Sequence, residues 1–208
     1  MVDESEAGEY RARGAQKILH SKGLVGARNC ALDHAFNEGA NCVQVDDDLV
    51  KVTLNNLDGK KGRQVSFKAG LSTFLDFAHD CPAKLVGIPP TDNPYFSKGE
   101  THQNGFIIGS FMLCKPTHLR FDEKLRLKED YDYTLQHIKE YGGVTRFNGL
   151  LWTFKHYTNE GGAVAVRSTR VEQEMILYLL RKWNGAVRPH PRRENEVVIA
   201  RNPHRFFI

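Results

Sequence analysis

The sequence predicts an α/β fold in which a mixed sheet is flanked by helices, and three observations carry the prediction. Short apolar runs bounded by turn residues recur between longer stretches with helical spacing. The run Cys42-Val43-Gln44-Val45, which suits a strand, ends directly on three consecutive aspartates, Asp46, Asp47 and Asp48. The 208 residues and a 40% apolar fraction are enough for a real core, in one large or two small domains. In such folds ligands bind beyond the carboxyl ends of strands, so the aspartates mark the first place to look for chemistry.

A helix is expected from about Gly8 to Ser21, where Tyr10, Ala15, Ile18 and Leu19 give a partly helical spacing. A second spans about Gly26 to Glu38, with Ala27, Cys30, Ala31, Ala35 and Phe36 near one face and Gly39 as its stop. After the Cys42–Val45 strand and the aspartates, Asn55 to Arg63 is rich in turn residues, and a helix follows from about Ser66 to Cys81. Lys84 to Ile88 is short and apolar, as a buried strand should be, and Pro89-Pro90-Thr91-Asp92-Asn93-Pro94 breaks it.

Tyr95 to Gln103 is polar and reads as a mobile loop. Gly105 to Cys114 is apolar enough for one central strand, with glycines that leave room for a ligand or a close backbone. Leu127 to Tyr141 reads as a helix with Glu129, Asp130 and Asp132 in its first turn and a buried stripe of Tyr131, Leu135 and Ile138, ended by Gly142-Gly143. A strand from Val144 through Phe154 then leads into His156, and a helix covers about Thr169 to Trp183. There is no internal repeat and no low-complexity segment.

Composition narrows the classes. No stretch approaches the roughly 18 apolar residues of a membrane span. Met1-Val2-Asp3-Glu4 offers neither the basic nor the apolar region of a secretory signal, so a soluble, cytoplasmic protein without membrane partners is expected. Cys30, Cys42, Cys81 and Cys114 are widely spaced and form no C-x-x-C pair, which suits reduced core thiols. The net charge is only +4, yet residues 163–208 hold nine Lys and Arg against four Glu. That quarter is a candidate surface for a polyanion; the alternative is a solvated helix face and a polar tail.

The aspartate triplet has two readings. Like charges this close repel, and a divalent cation or water can neutralise them. The alternative is a solvated acidic turn, since Asp is common in turns.

Further motifs carry a resemblance. Leu24-Val25-Gly26-Ala27-Arg28-Asn29, Ala35-Phe36-Asn37-Glu38-Gly39 and Val43-Gln44-Val45-Asp46-Asp47-Asp48 together resemble the glycosyltransferase pattern in which an "ARN" helix precedes the D-x-D metal motif of the GT-A fold. The Gly105–Phe111 strand, the Leu127–Asp132 segment, which resembles that family's E-D motif, and His156 follow in the expected order. The resemblance runs from Val2 to about Gly162, which implies a GT-A-like (Rossmann-like) domain over 1–162 and a basic helical extension over 163–208. The wording of Glu6-x-x-x-Tyr10-Arg11, Asp46-Asp47-Asp48-Leu49 and Lys128–Ile138 is most similar to the TET-associated glycosyltransferases of bacteriophages. That kinship implies transfer of a sugar from a nucleotide-sugar, such as a UDP-sugar, to hydroxymethylpyrimidines in DNA, in the cytoplasm of an infected bacterium.

The resemblance also implies roles. A divalent cation, Mn²⁺ or Mg²⁺, would stabilise the departing diphosphate and be held by Asp46 and Asp48, with Asp48 as the direct ligand and His156 as an imidazole ligand that favours Mn²⁺. Asp47 is a nucleotide-sugar contact or a turn residue. Asp130 is the expected base that takes the acceptor proton, with Glu129 beside it to orient the acceptor, and attack opposite the diphosphate would invert the anomeric centre. Their alternative is a pair of acids favoured by the helix dipole. Arg28 can reach the donor diphosphate or base, or be an exposed helical arginine. Asn29 can brace the Asp-rich loop; Gly109 and Ser110 can border the sugar pocket; Trp152 can stack on a ring or belong to the core.

One departure stands out. GT-A domains usually begin with a strand and helix that build much of the base pocket, and Met1-Val2-Asp3-Glu4 reads as the tip of the second strand, so the expectation is that about 30 residues of the first βα unit lie upstream of this start, are supplied by another chain, or are absent with weaker donor binding. Asp3 and Glu6 would then flank an incomplete pocket. Transfer to a protein or glycan, a metal-dependent nuclease or phosphotransferase, and a non-catalytic DNA-binding module are the alternatives.

Overall fold

A computed structural model describes residues 1, 4–5, 7–60, 62–155 and 168–207. Its centre is a five-stranded sheet in the order β1-β6-β4-β7-β5, built from β1 (Cys42–Val45), β4 (Leu85–Gly87), β5 (Thr101–Gln103), β6 (Phe111–Cys114) and β7 (Thr145–Phe147). β6 runs antiparallel to both β1 and β4, β4 is parallel to β7, and β5 is antiparallel to β7, so the sheet is mixed. β1, β4 and β7 therefore point the same way. Their carboxyl ends share one rim with the amino end of β6, where Asp46 and Gly109–Ser110 meet.

β6 is buried along its whole length, and the alternation of a strand decides what lies on each face. Met112 and Cys114 join a cluster with Leu32 and Val25 of α2 (Gly23–Asn37), Tyr133, Leu135 and Ile138 of α4 (Glu129–Tyr141), and Met175 and Leu179. Phe111 and Leu113 face a second cluster with Phe74 and Ala78 of α3 (Phe67–Asp80) and with Val52 and Trp152. Those last two belong to a three-stranded antiparallel sheet, β3-β2-β8, made of β2 (Leu49–Leu54), β3 (Gln64–Val65) and β8 (Leu150–Phe154). The fold is α/β, a mixed sheet flanked by helices, as the sequence predicts.

Helices end where local signals place them. Gly39 stops α2 at φ +68°, with Gly39 N–H donating to Phe36 and Ala40 N–H to Ala35, the paired bonds of a Schellman cap. Ser66 caps α3 by accepting from Ala69 N–H at 3.2 Å. Ser168 does the same for α5 (Thr169–Lys182), accepting from Val171 N–H at 3.3 Å. The four cysteines are free thiols, and no helix among the described residues is long and apolar enough to cross a membrane.

Four expectations are corrected. The helix from Gly8 to Ser21 is only α1 (Ala7–Ala12), because Gly14 at φ +92° closes it with a Schellman pair, Gly14 N–H to Arg11 and Ala15 N–H to Tyr10. The strand from Gly105 shortens to Phe111–Cys114, because Ile107 N–H and Gly109 N–H donate to Thr134 Oγ1 and Asp130 Oδ2 of α4 instead of to a neighbouring strand. The strand from Val144 to Phe154 splits into β7 and β8 in different sheets at Asn148–Gly149. Asn148 N–H pairs back to Glu100, while the Gly149 carbonyl accepts from Asn55 in the other sheet. The segment from Tyr95 to Gln103 is no open loop: Pro94–Phe96 form a 3₁₀ turn, and Thr101–Gln103 are β5.

The C-terminal segment packs on the same core. Trp183, Ala186, Val187 of β9 (Val187–Pro189) and Val197 of β10 (Val197–Ile199) join the α2/α4 cluster. A polar clasp fixes α5 to α4. The fully buried Asp132 accepts from Trp183 Nε1 at 2.7 Å and Lys182 Nζ at 2.8 Å through one oxygen, and from Gln136 Nε2 at 2.7 Å through the other. Removing that acceptor leaves buried donors without a partner. Asp132→Ala is expected to cost about 2–3 kcal/mol, read as a lower urea midpoint at an unchanged m-value.

Candidate active site

Arg28 stands where an amphipathic helix would put an apolar residue, on the sheet-facing side of α2, with only 7% of its surface exposed. A buried cation must be neutralised and its donors satisfied. Its Nε donates to Glu129 Oε1 at 3.0 Å, and its Nη1 to Gln44 Oε1 at 3.2 Å and to the Gly109 carbonyl at 2.9 Å. Nη2 reaches Asp46 Oδ1 at 3.5 Å. Burial alone would lower its pKa, but the charges of Glu129, Asp46 and Asp130 outweigh it and hold the guanidinium above its ordinary range. Gln44 closes the cage by donating to the Arg28 carbonyl at 3.1 Å.

Glycine is required at 109. A β-carbon there would lie 2.6 Å from Arg28 Nη2 and 3.5 Å from Asp130 Oδ2, so the strand can approach the cage only without a side chain. The bare backbone turns its N–H onto Asp130 Oδ2 at 3.0 Å. α4 starts from Lys128, whose left-handed φ of +63° is uncommon for a non-glycine residue. The Lys128 ammonium, 7% exposed, is tied to Glu196 at 3.2 Å. This start of the helix sends Glu129 inward onto Arg28 and leaves Asp130 half-buried on the rim.

Asp130 is the perturbed group of the site. Burial first, and then the negative charge of Glu129, push its carboxyl from an ordinary 3.8 up to about 7, against the pull of the Gly109 and Tyr131 N–H groups and of Arg28. Beside it Tyr131 stacks on Phe106 with ring centroids 4.0 Å apart. A carboxylate that changes charge near neutral pH at the edge of a sheet is suited to take a proton from a hydroxyl.

The aspartates form the turn between β1 and β2 on the same rim. Asp46 N–H donates to the Ser110 carbonyl at 2.9 Å, extending the β1–β6 ladder, and its carboxylate is 38% exposed. Asp47 is exposed and accepts from the Tyr10 hydroxyl at 3.1 Å, a turn residue held from α1. Asp48 is half-buried, and its carbonyl accepts from Lys155 N–H at 2.9 Å at the end of β8. Asp46 and Asp48 are hard oxygen donors two positions apart, and such a pair fits a Mg²⁺ or Mn²⁺ ion that keeps waters and substrate phosphates in its other positions. Among the described residues no group of three or more His, Cys, Asp or Glu gathers into a ready-made metal cage. His156, Asp3, Glu6 and the 158–162 segment lie outside the described residues.

Arg28, Asp46, Gly109, Ser110, Glu129 and Asp130 thus come together, while other expectations move. Arg28 is buried and not an exposed helical arginine, and Glu129 is its counter-ion. Asn29 braces the approach to α4, through Phe121 O and N at 3.0 and 2.8 Å, instead of the Asp-rich turn. Trp152 is core, 3% exposed and stacked on Phe111 at 4.1 Å. Gln44 and Lys128 escaped sequence reasoning; a lone glutamine inside an apolar strand was the available signal for the first. A cavity of about 630 Å³ lies elsewhere, between α5 and the β9–β10 turn, lined by Ile176, Leu177, Pro189, Pro191 and Arg193.

Glu129→Ala leaves the guanidinium buried without its anion and is expected to cost about 3–5 kcal/mol by chemical denaturation. The double change Arg28→Met, Glu129→Leu is expected to cost less than that single one, because no charge is then stranded. Set against known proteins, the chain matches no family model, and no curated protein and no solved structure matches it.

Proposed function

We propose that the protein is a metal-dependent, inverting glycosyltransferase that moves a sugar from a nucleotide-sugar donor to the hydroxyl of a hydroxymethylpyrimidine in DNA. The observation that carries this reading is the pairing, on one rim, of a carboxyl poised at about 7 with an acidic turn of hard oxygen donors. The motif resemblance supplies the donor and acceptor classes.

Asp130 takes the proton of the acceptor hydroxyl as its oxygen bonds to the anomeric carbon. On the opposite face the bond from that carbon to the diphosphate oxygen breaks, and the nucleoside diphosphate leaves with the electron pair. Asp46 and Asp48 would hold the divalent cation, which when bound supplies positive charge to the departing diphosphate. Arg28 positions the rest: it holds Glu129, Gly109 and Asp46 in register, and Glu129 in turn keeps Asp130 a strong enough base.

The direct test incubates the protein with UDP-glucose, Mn²⁺ and DNA containing 5-hydroxymethylcytosine, followed by nucleoside mass spectrometry with and without chelator. A chelator-sensitive hexose adduct is expected. Nicked DNA without a sugar adduct would point to a nuclease, and metal-indifferent, salt-sensitive binding alone to a DNA-binding module.

Asp130→Asn is expected to lower transfer by several orders of magnitude while metal-dependent donor binding persists, whereas Asp48→Ala should abolish that binding. Transfer should also rise with pH up to about 7, as Asp130 loses its proton. Stability moves the other way. Between an unfolded pKa near 3.8 and a folded one near 7, the native state keeps a proton that the unfolded chain has lost, so the contribution is present below pH 4 and lost as pH rises through 7. Asp130→Asn is therefore expected to melt a few degrees above the parent at pH 8 and to lose that advantage near pH 4.

A further inference from the structure

The β9–β10 turn and α5 enclose a groove of about 630 Å³, within the range of sites that hold one small organic ligand. The turn is built in advance of any ligand. Pro189 pairs with Val197, His190 N–H donates to the Glu196 carbonyl at 2.8 Å, and Asn195 takes a left-handed φ of +56° between them. His190 Nδ1 accepts from the backbone N–H groups of both Arg192 and Arg193, at 3.1 and 3.0 Å. A ring nitrogen that accepts carries no proton, so the proton of the imidazole sits on Nε2, which is then a donor.

Two chemistries meet in the groove. Ile176, Leu177, Pro189 and Pro191 give it apolar lining, and Leu177 is 52% exposed there. Arg192 and Arg193 give it cations, both exposed and with no carboxylate partner among the described residues. Of the acids that line it, Glu196 is held by Lys128 at 3.2 Å and Glu194 is exposed. The groove also borders the first turn of α4. Lys128 is the residue from which that helix starts, and Tyr131, next to Asp130, lies close enough to Glu196 and Arg193 to feel both charges.

We infer that this groove binds a mononucleotide, whose ring lies on the apolar lining and whose phosphate is taken by Arg192 and Arg193. Each part of such a ligand answers to a lining group. Adjacent planar guanidinium groups suit the bidentate geometry of a phosphate, and His190 Nε2 adds a further donor. The flat face of a base suits proline rings and aliphatic side chains, whose apolar surface is otherwise left to water. The edges of a base and its sugar both donate and accept, and the Gln173 and Asn195 amides with the Glu194 carboxylate offer both kinds of partner; an inorganic anion or a fatty acid would leave them unused. The inference goes beyond the proposed function and does not rest on it, because the groove shares no lining residue with the acidic turn assigned to the donor.

The test measures binding of each common deoxynucleoside monophosphate to the full chain by saturation-transfer NMR, with chelator present so that no cation assists a nucleotide at the acidic turn. Saturable binding of at least one of them is expected, and its nucleoside or inorganic phosphate alone, each lacking half of the ligand, should bind about tenfold more weakly. Arg192→Ala with Arg193→Ala, on an exposed turn, is expected to weaken binding about tenfold at an unchanged urea midpoint. Leu177→Glu, at an exposed helical position that glutamate suits, should weaken it as much by setting a charge in the apolar lining. No saturation by any of the nucleotides overturns the inference, and so does unchanged affinity in either variant. Inorganic phosphate that competes as well as the nucleotide overturns it in favour of an adventitious ion only, and an oligonucleotide that binds more tightly per nucleotide overturns it in favour of a strand. Sugar transfer without nucleotide binding in the groove overturns this inference alone; binding without transfer overturns the proposed function alone.

Discussion

The structure depends on one constraint: a guanidinium placed inside the protein has to be surrounded. Arg28 is enclosed between α2 and the sheet, and its partners come from three different elements, β1 through Gln44 and Asp46, the approach to β6 through Gly109, and α4 through Glu129. An ion pair in that position adds little net stability compared with a well-packed apolar pair, because the desolvation of both charges offsets their attraction. What it does is forbid alternatives. Any slip of α4 relative to β6 would strand a charge at a cost of several kcal/mol, and so the first turn of α4 and the tip of the sheet are held in one register.

Much of that arrangement was legible and much was not, for one physical reason. α2, α3 and α5 carry their own punctuation, a glycine at φ +68° or a serine cap, and such signals act within a few residues. The segments that were misjudged are those whose hydrogen bonds go elsewhere: 105–110 is apolar enough for a strand, yet its N–H groups at Ile107 and Gly109 go to α4. The same limit governs the site. Asp46 could be placed at a strand tip from the order of strands and helices, and Asp130 only through the motif resemblance, while whether Arg28 and Glu129 point inward or outward is a tertiary choice that residue type alone leaves open.

The basic C-terminal quarter is narrower as a polyanion surface than its composition suggests. Lys182 is bound to Asp122 at 2.6 Å and to Asp132, Arg170 pairs with Glu174 at 2.9 Å, and Arg188 lies over the Phe206 ring. These cations attach the segment to the body or to itself. Arg192 and Arg193 remain exposed on a turn whose backbone N–H groups both donate to His190 Nδ1, beside the groove lined by Leu177 and Pro191. Of the nine cations in this quarter, these three are engaged in contacts, while Arg181, Arg192, Arg193, Arg201 and Arg205 face solvent.

Adjacent acids in a single turn of helix are given opposite surroundings. Glu129 and Asp130 are neighbours in sequence, and the helical step of about 100° between them sends one into the Arg28 cage and the other to the rim. Burial of the Asp130 carboxyl raises the energy of its charge, and the cage adds the negative charge of Glu129 beside it, so the outer carboxyl is the one driven to titrate near neutrality. Had both faced solvent, water would have screened each from the other and neither would differ from a surface acid. Its own burial first, and then the Glu129 charge that the Arg28 cage fixes beside it, are thus what distinguish Asp130 from an ordinary acid in the first turn of a helix.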